Sequence, residues 1–144
     1  MSMLNTGRDV AQFLEAVGQN VNDSVINDWE KDDQAQLYMK LVVEEFEETV
    51  KAWNEGDTVE LADGCADLIW VLQGLMLSVG IPMQEVWDEV SRSNLAKIDP
   101  ESGVVLKRDD GKILKPAGWT APDIKTIIDA SIYHRNSQVE DTIG

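Results

Sequence analysis

A very short connection between two long helical segments restricts the fold of this chain more than any other feature. Apolar side chains recur at helical spacing up to Trp53 in a segment that starts at about Asp28 or Trp29: Leu37, Leu41, Val42, Phe46, Val50 and Trp53. Asn54-Glu55-Gly56 ends this helix, and Asp57 or Thr58 caps the next one, which reaches Val79 before Gly80 and Pro82. The two helices must therefore run antiparallel and share a face.

Further helical segments lie on both sides of this pair. A first helix is predicted from about Thr6 to Val17, and a fourth from about Pro82 to the region 94–97. Pro, Gly and charged residues dominate from Asp99 onward, where two short apolar runs flank a turn at Asp110-Gly111. We therefore predict one all-α domain over residues 1–144. It has a four-to-five-helix bundle over about 6–97, a small β-hairpin and strap over about 98–123, and a short helix over about 123–133.

Composition narrows the choice of partners. The chain carries 27 Asp and Glu against 12 Lys and Arg, a net charge of -15 that disfavours nucleic acids and anionic membranes. Cys65 is the only cysteine, which excludes an internal disulfide. The apolar run 68–81 is too short and too interrupted to predict a membrane span, and the first residues do not resemble a signal peptide. We therefore expect a cytoplasmic protein.

Acidic side chains form one stripe on each of the two long helices. Glu44, Glu45 and Glu48 fall within an arc of roughly 100° on the first of them. On the second, acids at i, i+3 and i+7 form a stripe about 60° wide: Glu60, Asp63 and Asp67. The segment after Asp67 is apolar on nearly all sides, which is typical of a buried helix. Carboxylates at its entrance must be neutralised, paired or bound to a cation.

The number of oxygen ligands favours a hard divalent ion, Mg²⁺ with Mn²⁺ as an alternative. The competing interpretation is a solvated acidic face, which applies best to Glu47 and Glu55. His134 is the only histidine, so a di-iron bundle, a histidine-rich zinc site and a Ser-His-Asp triad within one chain are excluded. The predicted metal site therefore consists of carboxylates.

These acidic segments resemble the Glu-Glu-x-x-Glu signature of the all-α nucleoside triphosphate pyrophosphohydrolases. This group includes the MazG-type and phosphoribosyl-ATP pyrophosphohydrolase-like proteins and is related to dimeric dUTPases. The similarity spans roughly Val10 to Ile128 and rests on residues 41–48, 60–74, 89–97, 110–115 and 119–124. The resemblance implies the helical fold of that group, an oligomer built from a dimer, Mg²⁺ on the acidic signature, and release of pyrophosphate by water.

The resemblance also implies roles for individual residues. Glu44, Glu45, Glu48 and either Asp63 or Asp67 would be metal ligands, and Glu45 or Glu48 could instead act in catalysis by orienting the attacking water. The second half of the signature can be aligned as Glu60 with Asp63 or as Asp63 with Asp67. Related sequences often carry a basic residue before the Glu-Glu pair, where this chain has Tyr38.

Basic residues are concentrated after the fourth helix. Phosphate contacts are predicted for Arg92, Asn94, Lys97 and either Lys112 or Lys115, with solvation of the hairpin as the alternative. Trp119 could stack on a base or fix the strap. Trp70 and Trp87 are predicted core residues.

The predicted function is Mg²⁺-dependent hydrolysis of a nucleoside triphosphate, a dNTP or a non-standard NTP, to the monophosphate and pyrophosphate. The protein would be a homodimer or a dimer-of-dimers tetramer. The alternatives are an enzyme restricted to dUTP or phosphoribosyl-ATP and a non-catalytic helical dimerisation module.

Overall fold

Five α-helices and one turn of 3₁₀ helix make up the regular structure. The computed structural model describes the backbone of residues 4–143 and the side chains of residues 4–132 and of Asn136. In chain order the helices are α1 (Thr6–Val17), the 3₁₀ helix (Trp29–Lys31), α2 (Asp33–Glu55), α3 (Thr58–Val79), α4 (Met83–Leu95) and α5 (Ile124–Ile143). The described residues contain no β-strand, so the predicted all-α class is confirmed.

Local capping sets the limits of the central helix pair. The Asp32 carboxylate accepts the backbone N–H of Ala35, so α2 begins later than predicted, after the separate 3₁₀ turn. Gly56 adopts a left-handed conformation that ends α2, and the Asp57 carboxylate accepts the N–H of Glu60 at the start of α3. The predicted antiparallel pair therefore has a cap on each side of its connection.

Close contact between α2 and α3 depends on a glycine in α3. A Cβ atom placed on Gly74 would lie 2.2 Å from Cε1 of Tyr38. Tyr38 is buried, and its hydroxyl donates to Oε1 of Gln19 at 2.7 Å. The aromatic ring at this position is therefore part of the core, where α1, α2 and α3 meet around Val10, Leu14 and Val71.

We expect Gly74→Ala to destabilise the protein by about 1–3 kcal/mol, because the added methyl displaces the Tyr38 ring from a filled core. Urea unfolding would measure the change. Tyr38→Leu is the matched background, since the smaller side chain leaves room for the methyl group. An equal cost of Gly74→Ala in both backgrounds would show that the contact with Tyr38 is not the cause.

A large part of the apolar surface has no cover within one chain. Most of the apolar side chains that recur at helical spacing along α2 are exposed, including Leu37, Phe46, Val50 and Trp53. The prediction that Trp70 and Trp87 lie in the core is also wrong, because these side chains are 37% and 68% exposed; the ring of Trp70 makes an edge contact with Phe13. Helical spacing predicts an apolar face correctly, but it does not say which molecule covers that face.

The predicted C-terminal hairpin is wrong, since residues 4–143 hold only isolated antiparallel bridges in this region, Ile98 with Val105 and Lys107 with Ile113. Val105 is half-buried, but the other apolar residues of the two runs are exposed, so no continuous core face supports a ladder: Val104, Leu106, Ile113 and Leu114. The last helix, α5, continues to Ile143 instead of ending near residue 133. His134 lies within α5.

One helix, α3, stands out by composition. Within the described part of the chain it is the one helix that is long and apolar enough to cross a membrane. A core helix of a soluble protein passes the same test, so length and composition alone carry little weight here. In this fold α3 packs between α1 and α2.

Candidate active site

The pairing of α2 with α3 brings two acidic stripes together. Gly64 packs on Thr49, where an added Cβ would lie 2.7 Å from the threonine Oγ1. Gly74 packs on Tyr38 in the same way, so position numbers rise along α2 as they fall along α3. This antiparallel register places Glu45 and Glu48 beside Asp63 and Asp67, and we call these four residues the carboxylate cluster.

Glu45 is the most enclosed member of the cluster. Within residues 4–143, its Oε2 atom is buried and has no hydrogen-bond partner. Burial raises the pKa of this carboxyl group above its ordinary value of 4.5, and the nearby carboxylates of Glu48, Asp67 and Asp63 raise it further. A carboxylate in these surroundings gains stability from a proton or a cation.

The pKa of Asp67, on α3, is raised by the same surroundings. Burial is the largest cause that raises its pKa above 3.8, followed by the charges of Asp63 and Glu48 and a hydrogen bond with Asp63. The two pKa values are therefore raised by the same causes, burial first and then the negative charge that both helices bring to one place. Such grouping of perturbed carboxyl groups is typical of a functional site.

Two predicted ligands lie at the edge of the cluster. Glu44 is 51% exposed and faces Lys40, with 4.0 Å between the carboxylate and the ammonium nitrogen. Glu60 is exposed in the first turn of α3, one turn before Asp63. Of the two possible alignments of the second acidic motif, the structure brings Asp63 and Asp67 against Glu45.

The carboxylate oxygens of the cluster are suitable ligands for a hard divalent cation. Among the side chains that the structure describes, no three of His, Cys, Asp or Glu already have the arrangement of a metal site. The cluster nevertheless offers only oxygen ligands, one of them buried and unpaired, and the negative charge of the cluster raises the pKa of Glu45 and of Asp67. Mg²⁺ and Mn²⁺ favour such ligands, and a cation would relieve the repulsion between them.

The predicted phosphate contacts form a second group around Trp119. The indole Nε1–H donates to the backbone oxygen of Ser93 at 2.7 Å. The ammonium groups of Lys97 and Lys115 lie over the ring, 5.7 and 4.3 Å from its centroid. Lys97 also donates to Oδ1 of Asn94 at 2.9 Å. We call Asn94, Lys97, Lys115 and Trp119 the lysine–tryptophan group.

Arg92 has a different set of contacts. Its guanidinium binds both carboxylate oxygens of Glu89, at 3.0 and 2.8 Å, and also reaches the backbone oxygens of Thr120 and Ala121 at 3.4 and 3.3 Å. The backbone N–H of Asp123 donates to the same Glu89 carboxylate at 2.9 Å. These bonds lower the pKa of Glu89 to about 2, with the bond from Arg92 as the largest cause.

Lys112 lies outside both groups. Its side chain is exposed, and its backbone N–H donates to Oδ1 of Asp110 in the turn. Arg108 pairs with the same carboxylate, so Asp110 closes the turn from two sides. Of the predicted phosphate contacts, the structure therefore brings Asn94, Lys97 and Lys115 together with Trp119, and places Lys112 apart from them.

Comparison with known families decides the class. The family model described as phosphoribosyl-ATP pyrophosphohydrolase matches residues 10–94, more than half of the chain. The chain belongs to this family. The resemblance to the all-α pyrophosphohydrolases is thereby confirmed, and the protein is a hydrolase acting on phosphoric anhydride bonds of a nucleotide. No curated protein matches the chain.

Only some of the candidate residues lie in the part of this pyrophosphohydrolase that the family model matches. All four members of the carboxylate cluster lie within residues 10–94, as do Glu44, Glu60, Arg92 and Asn94. Lys97, Lys112, Lys115 and Trp119 lie beyond residue 94, outside the match. The family match therefore covers the carboxylate cluster, and the case for the lysine–tryptophan group rests on the contacts of this chain.

Sequence reasoning missed two residues that build the sites of this pyrophosphohydrolase. Gly64 allows the close approach beside the carboxylate cluster, and its position between Asp63 and Asp67 was the available signal. Glu89 joins α4 to the later segment through Arg92 and Asp123. The spacing of three residues between Glu89 and Arg92 predicts a pair on one helix face, but it gives no hint of the bonds to Thr120 and Ala121.

Proposed function

We propose that this pyrophosphohydrolase uses Mg²⁺ to hydrolyse a nucleoside triphosphate, a dNTP or a non-standard NTP, to the monophosphate and pyrophosphate. The observation that carries the proposal is the carboxylate cluster formed by α2 and α3, with the buried and unpaired Oε2 of Glu45. Enzymes of this kind generally depend on a divalent metal. An acidic site accepts a triphosphate only when cations offset the repulsion between like charges.

Glu45, Glu48, Asp63 and Asp67 are the side chains that would hold the metal, and Mn²⁺ is an alternative to Mg²⁺. Glu44 and Glu60 stay predicted ligands at the edge of the cluster. When bound, the metal would neutralise phosphate charge and lower the pKa of a coordinated water. The protein supplies fixed donors on two packed helices, so little reorganisation is needed when substrate arrives.

The proposed reaction is a substitution at the α-phosphorus. The oxygen of water forms a bond to this phosphorus, and the bond from it to the oxygen shared with the β-phosphorus breaks. Pyrophosphate leaves with the bonding electron pair, and a carboxylate takes the proton of the attacking water. Glu45 would take this role in place of metal binding, with Glu48 as the alternative.

The lysine–tryptophan group would contact the phosphates. Lys97 and Lys115 meet at the Trp119 ring, and neither has a carboxylate within salt-bridge distance in the described part of the chain. In a protein with a net charge of -15, such a pair is well suited to an anionic ligand. Asn94 and Lys112 stay predicted contacts, whereas Arg92, the other predicted contact, is engaged by Glu89 and by two backbone oxygens.

An oligomer is the second part of the proposal. A groove of ≈ 550 Å³ on the α2–α3 pair is lined by Val42, Val43, Phe46, Glu47, Leu68 and Leu72. Contiguous apolar side chains of this kind normally mark an interface. We propose that a second copy covers them, which gives a homodimer or a dimer of dimers.

From the strongly negative net charge, we also propose that the enzyme is cytoplasmic and binds neither nucleic acid nor membrane.

A nucleotide panel tests the function. The protein would be incubated with ribo- and deoxynucleoside triphosphates, dUTP and phosphoribosyl-ATP, with Mg²⁺ or with EDTA. The assay must separate monophosphate plus pyrophosphate from diphosphate plus phosphate. We expect Mg²⁺-dependent release of pyrophosphate from several triphosphates. Turnover of dUTP alone, or of phosphoribosyl-ATP alone, would replace the proposed substrate class. No turnover of any nucleotide would favour the non-catalytic helical module.

A further inference from the structure

Glu89 and Arg92 connect α4 to residues 120–123, a segment that lies much later in the sequence. The Glu89 carboxylate accepts two bonds from Arg92 on the same helix and one from the backbone N–H of Asp123. Arg92 in turn donates to the backbone oxygens of Thr120 and Ala121. We call residues 116–123 the strap, and Glu89 with Arg92 the clasp. The clasp therefore holds the end of the strap on α4.

The start of α5 depends on the same place. Asp123 caps α5 by accepting the backbone N–H and the hydroxyl of Thr126 at 3.2 and 2.7 Å. The backbone N–H of Asp123 is held by Glu89, which is only 21% exposed. Bonds to a charged and partly enclosed carboxylate are stronger than bonds between neutral groups. The clasp thus fixes both the strap and the helix that follows it.

Trp119 lies within the strap, one residue before the clasped segment. The only bond that the indole donates goes to Ser93, the residue next to Arg92. Lys115 immediately precedes the strap and reaches the ring from there, and Lys97 reaches it from the end of α4. The two lysines therefore come together only while the strap stays on α4.

We propose that Glu89 and Arg92 are positioning residues that hold the strap closed, so that Lys97 and Lys115 form one binding site for a polyphosphate at Trp119. The identity of this polyphosphate as part of a nucleotide rests on the proposed function. The site itself follows from the contacts of this chain: two ammonium groups share one aromatic ring in a strongly acidic protein.

Glu89→Ala tests the clasp, and Glu85→Ala is the matched control. Glu85 is an exposed acid one turn earlier on α4, so both variants remove one negative charge from the same helix. A charge exchange, Glu89→Arg with Arg92→Glu, is the second test. It restores an ion pair on α4, but the new side chains cannot accept the Asp123 N–H or donate to the strap oxygens as before.

Two measurements would be made on the full chain of the wild type and of each variant. Fluorine NMR with 5-fluorotryptophan reports the surroundings of Trp119, assigned by the signal lost in Trp119→Phe. Titration with inorganic tripolyphosphate in EDTA reports binding by the cationic groups, because no divalent cation is then present at the carboxylate cluster. Glu89→Ala should shift the Trp119 signal towards that of a solvent-exposed indole and weaken tripolyphosphate binding about tenfold. Glu85→Ala should change neither.

The charge exchange separates positioning from helix stability. We expect it to restore the melting temperature without restoring the Trp119 signal or tripolyphosphate binding. An unchanged Trp119 signal in Glu89→Ala would overturn the clasp. A shifted signal with unchanged tripolyphosphate affinity, or a wild-type chain that does not bind tripolyphosphate, would overturn the polyphosphate site.

Turnover kinetics link this inference to the proposed function. In Glu89→Ala, KM for the nucleotide should rise about tenfold while kcat stays close to that of the wild type. If the wild-type chain hydrolyses no nucleotide but binds tripolyphosphate in a clasp-dependent way, the proposed function fails and the clasp stands. If hydrolysis proceeds with an unchanged KM in Glu89→Ala, the proposed function stands and the clasp has no role in positioning.

Discussion

Glu45→Gln and Asp67→Asn should each lower the hydrolysis rate at least about 100-fold and raise the melting temperature of the protein in EDTA. Activity falls because the amide is a weaker metal ligand and accepts no proton. Stability rises because the pKa of each carboxyl group is raised in the folded protein, so its charged form is disfavoured there. We therefore expect the charges of the proposed metal site to destabilise the fold when no metal is bound.

The dependence of this effect on pH follows from the direction of the shifts. Between the unfolded and the folded pKa, the folded state binds more protons than the unfolded state, so the free energy of unfolding falls as pH rises. The destabilisation of the folded state by these charges is absent at pH values below the ordinary pKa values of 4.5 and 3.8. It is complete at pH values above the raised pKa values of the folded protein. The advantage of each variant over the wild type should therefore vanish in acid and be largest at neutral pH.

Thermal melts from pH 3 to 8 would measure how the stability of each variant depends on pH, and Mg²⁺ titrations would measure the stabilisation by the metal. Mg²⁺ should stabilise the wild type more than either variant, since a ligand that binds only the folded state raises stability. Glu15→Gln is the control, because Glu15 is an exposed acid on α1 and not part of the cluster. A lower melting temperature of both variants in EDTA, or full activity in either, would contradict the assignment of the cluster.

Phe46→Asp should convert the proposed oligomer into monomers at micromolar concentration. Phe46 is 56% exposed on α2 and lines the apolar groove together with Val42 and Leu72. Burying this side chain contributes about 1.5–3 kcal/mol in each subunit, and a two-fold interface contains it twice. The substitution should therefore raise the dissociation constant of a dimer by about 10²–10⁴-fold. Light scattering after size exclusion would measure the mass.

Trp87→Asp is the matched control for this experiment. Trp87 is 68% exposed on α4 and does not line the groove. We expect this variant to keep the oligomer. If Trp87→Asp dissociates it and Phe46→Asp does not, the interface lies on α4 instead of the α2–α3 pair. A wild-type chain that is monomeric at all concentrations would remove the second copy from the proposal.

The parts of the fold that the sequence predicts well are those set by local chemistry. Caps at Asp57 and Gly56 define the hairpin of α2 and α3, and the acidic stripes follow from their helical spacing. The register between the helices was not predictable in the same way. It depends on the fit of Gly64 against Thr49 and of Gly74 against Tyr38, which is a property of two surfaces together.

The later part of the chain shows why other predictions failed. The turn at Asp110-Gly111 predicts a hairpin, but two short runs without a core face do not sustain strands. The clasp was missed because Glu89 and Arg92 look like an ordinary pair on one helix, and their partners on the strap are backbone groups. Backbone partners leave no sign in the residue types of a sequence.

The hairpin of α2 and α3 also has a consequence for the order of folding. All four cluster carboxylates come from one contiguous stretch, Asp33 to Val79, joined by a connection of minimal length. Closing so short a loop costs little chain entropy, and contacts between nearby segments form fast. The acidic site can therefore assemble early, even as the chain leaves the ribosome, whereas the lysine–tryptophan group must wait for residues synthesised later.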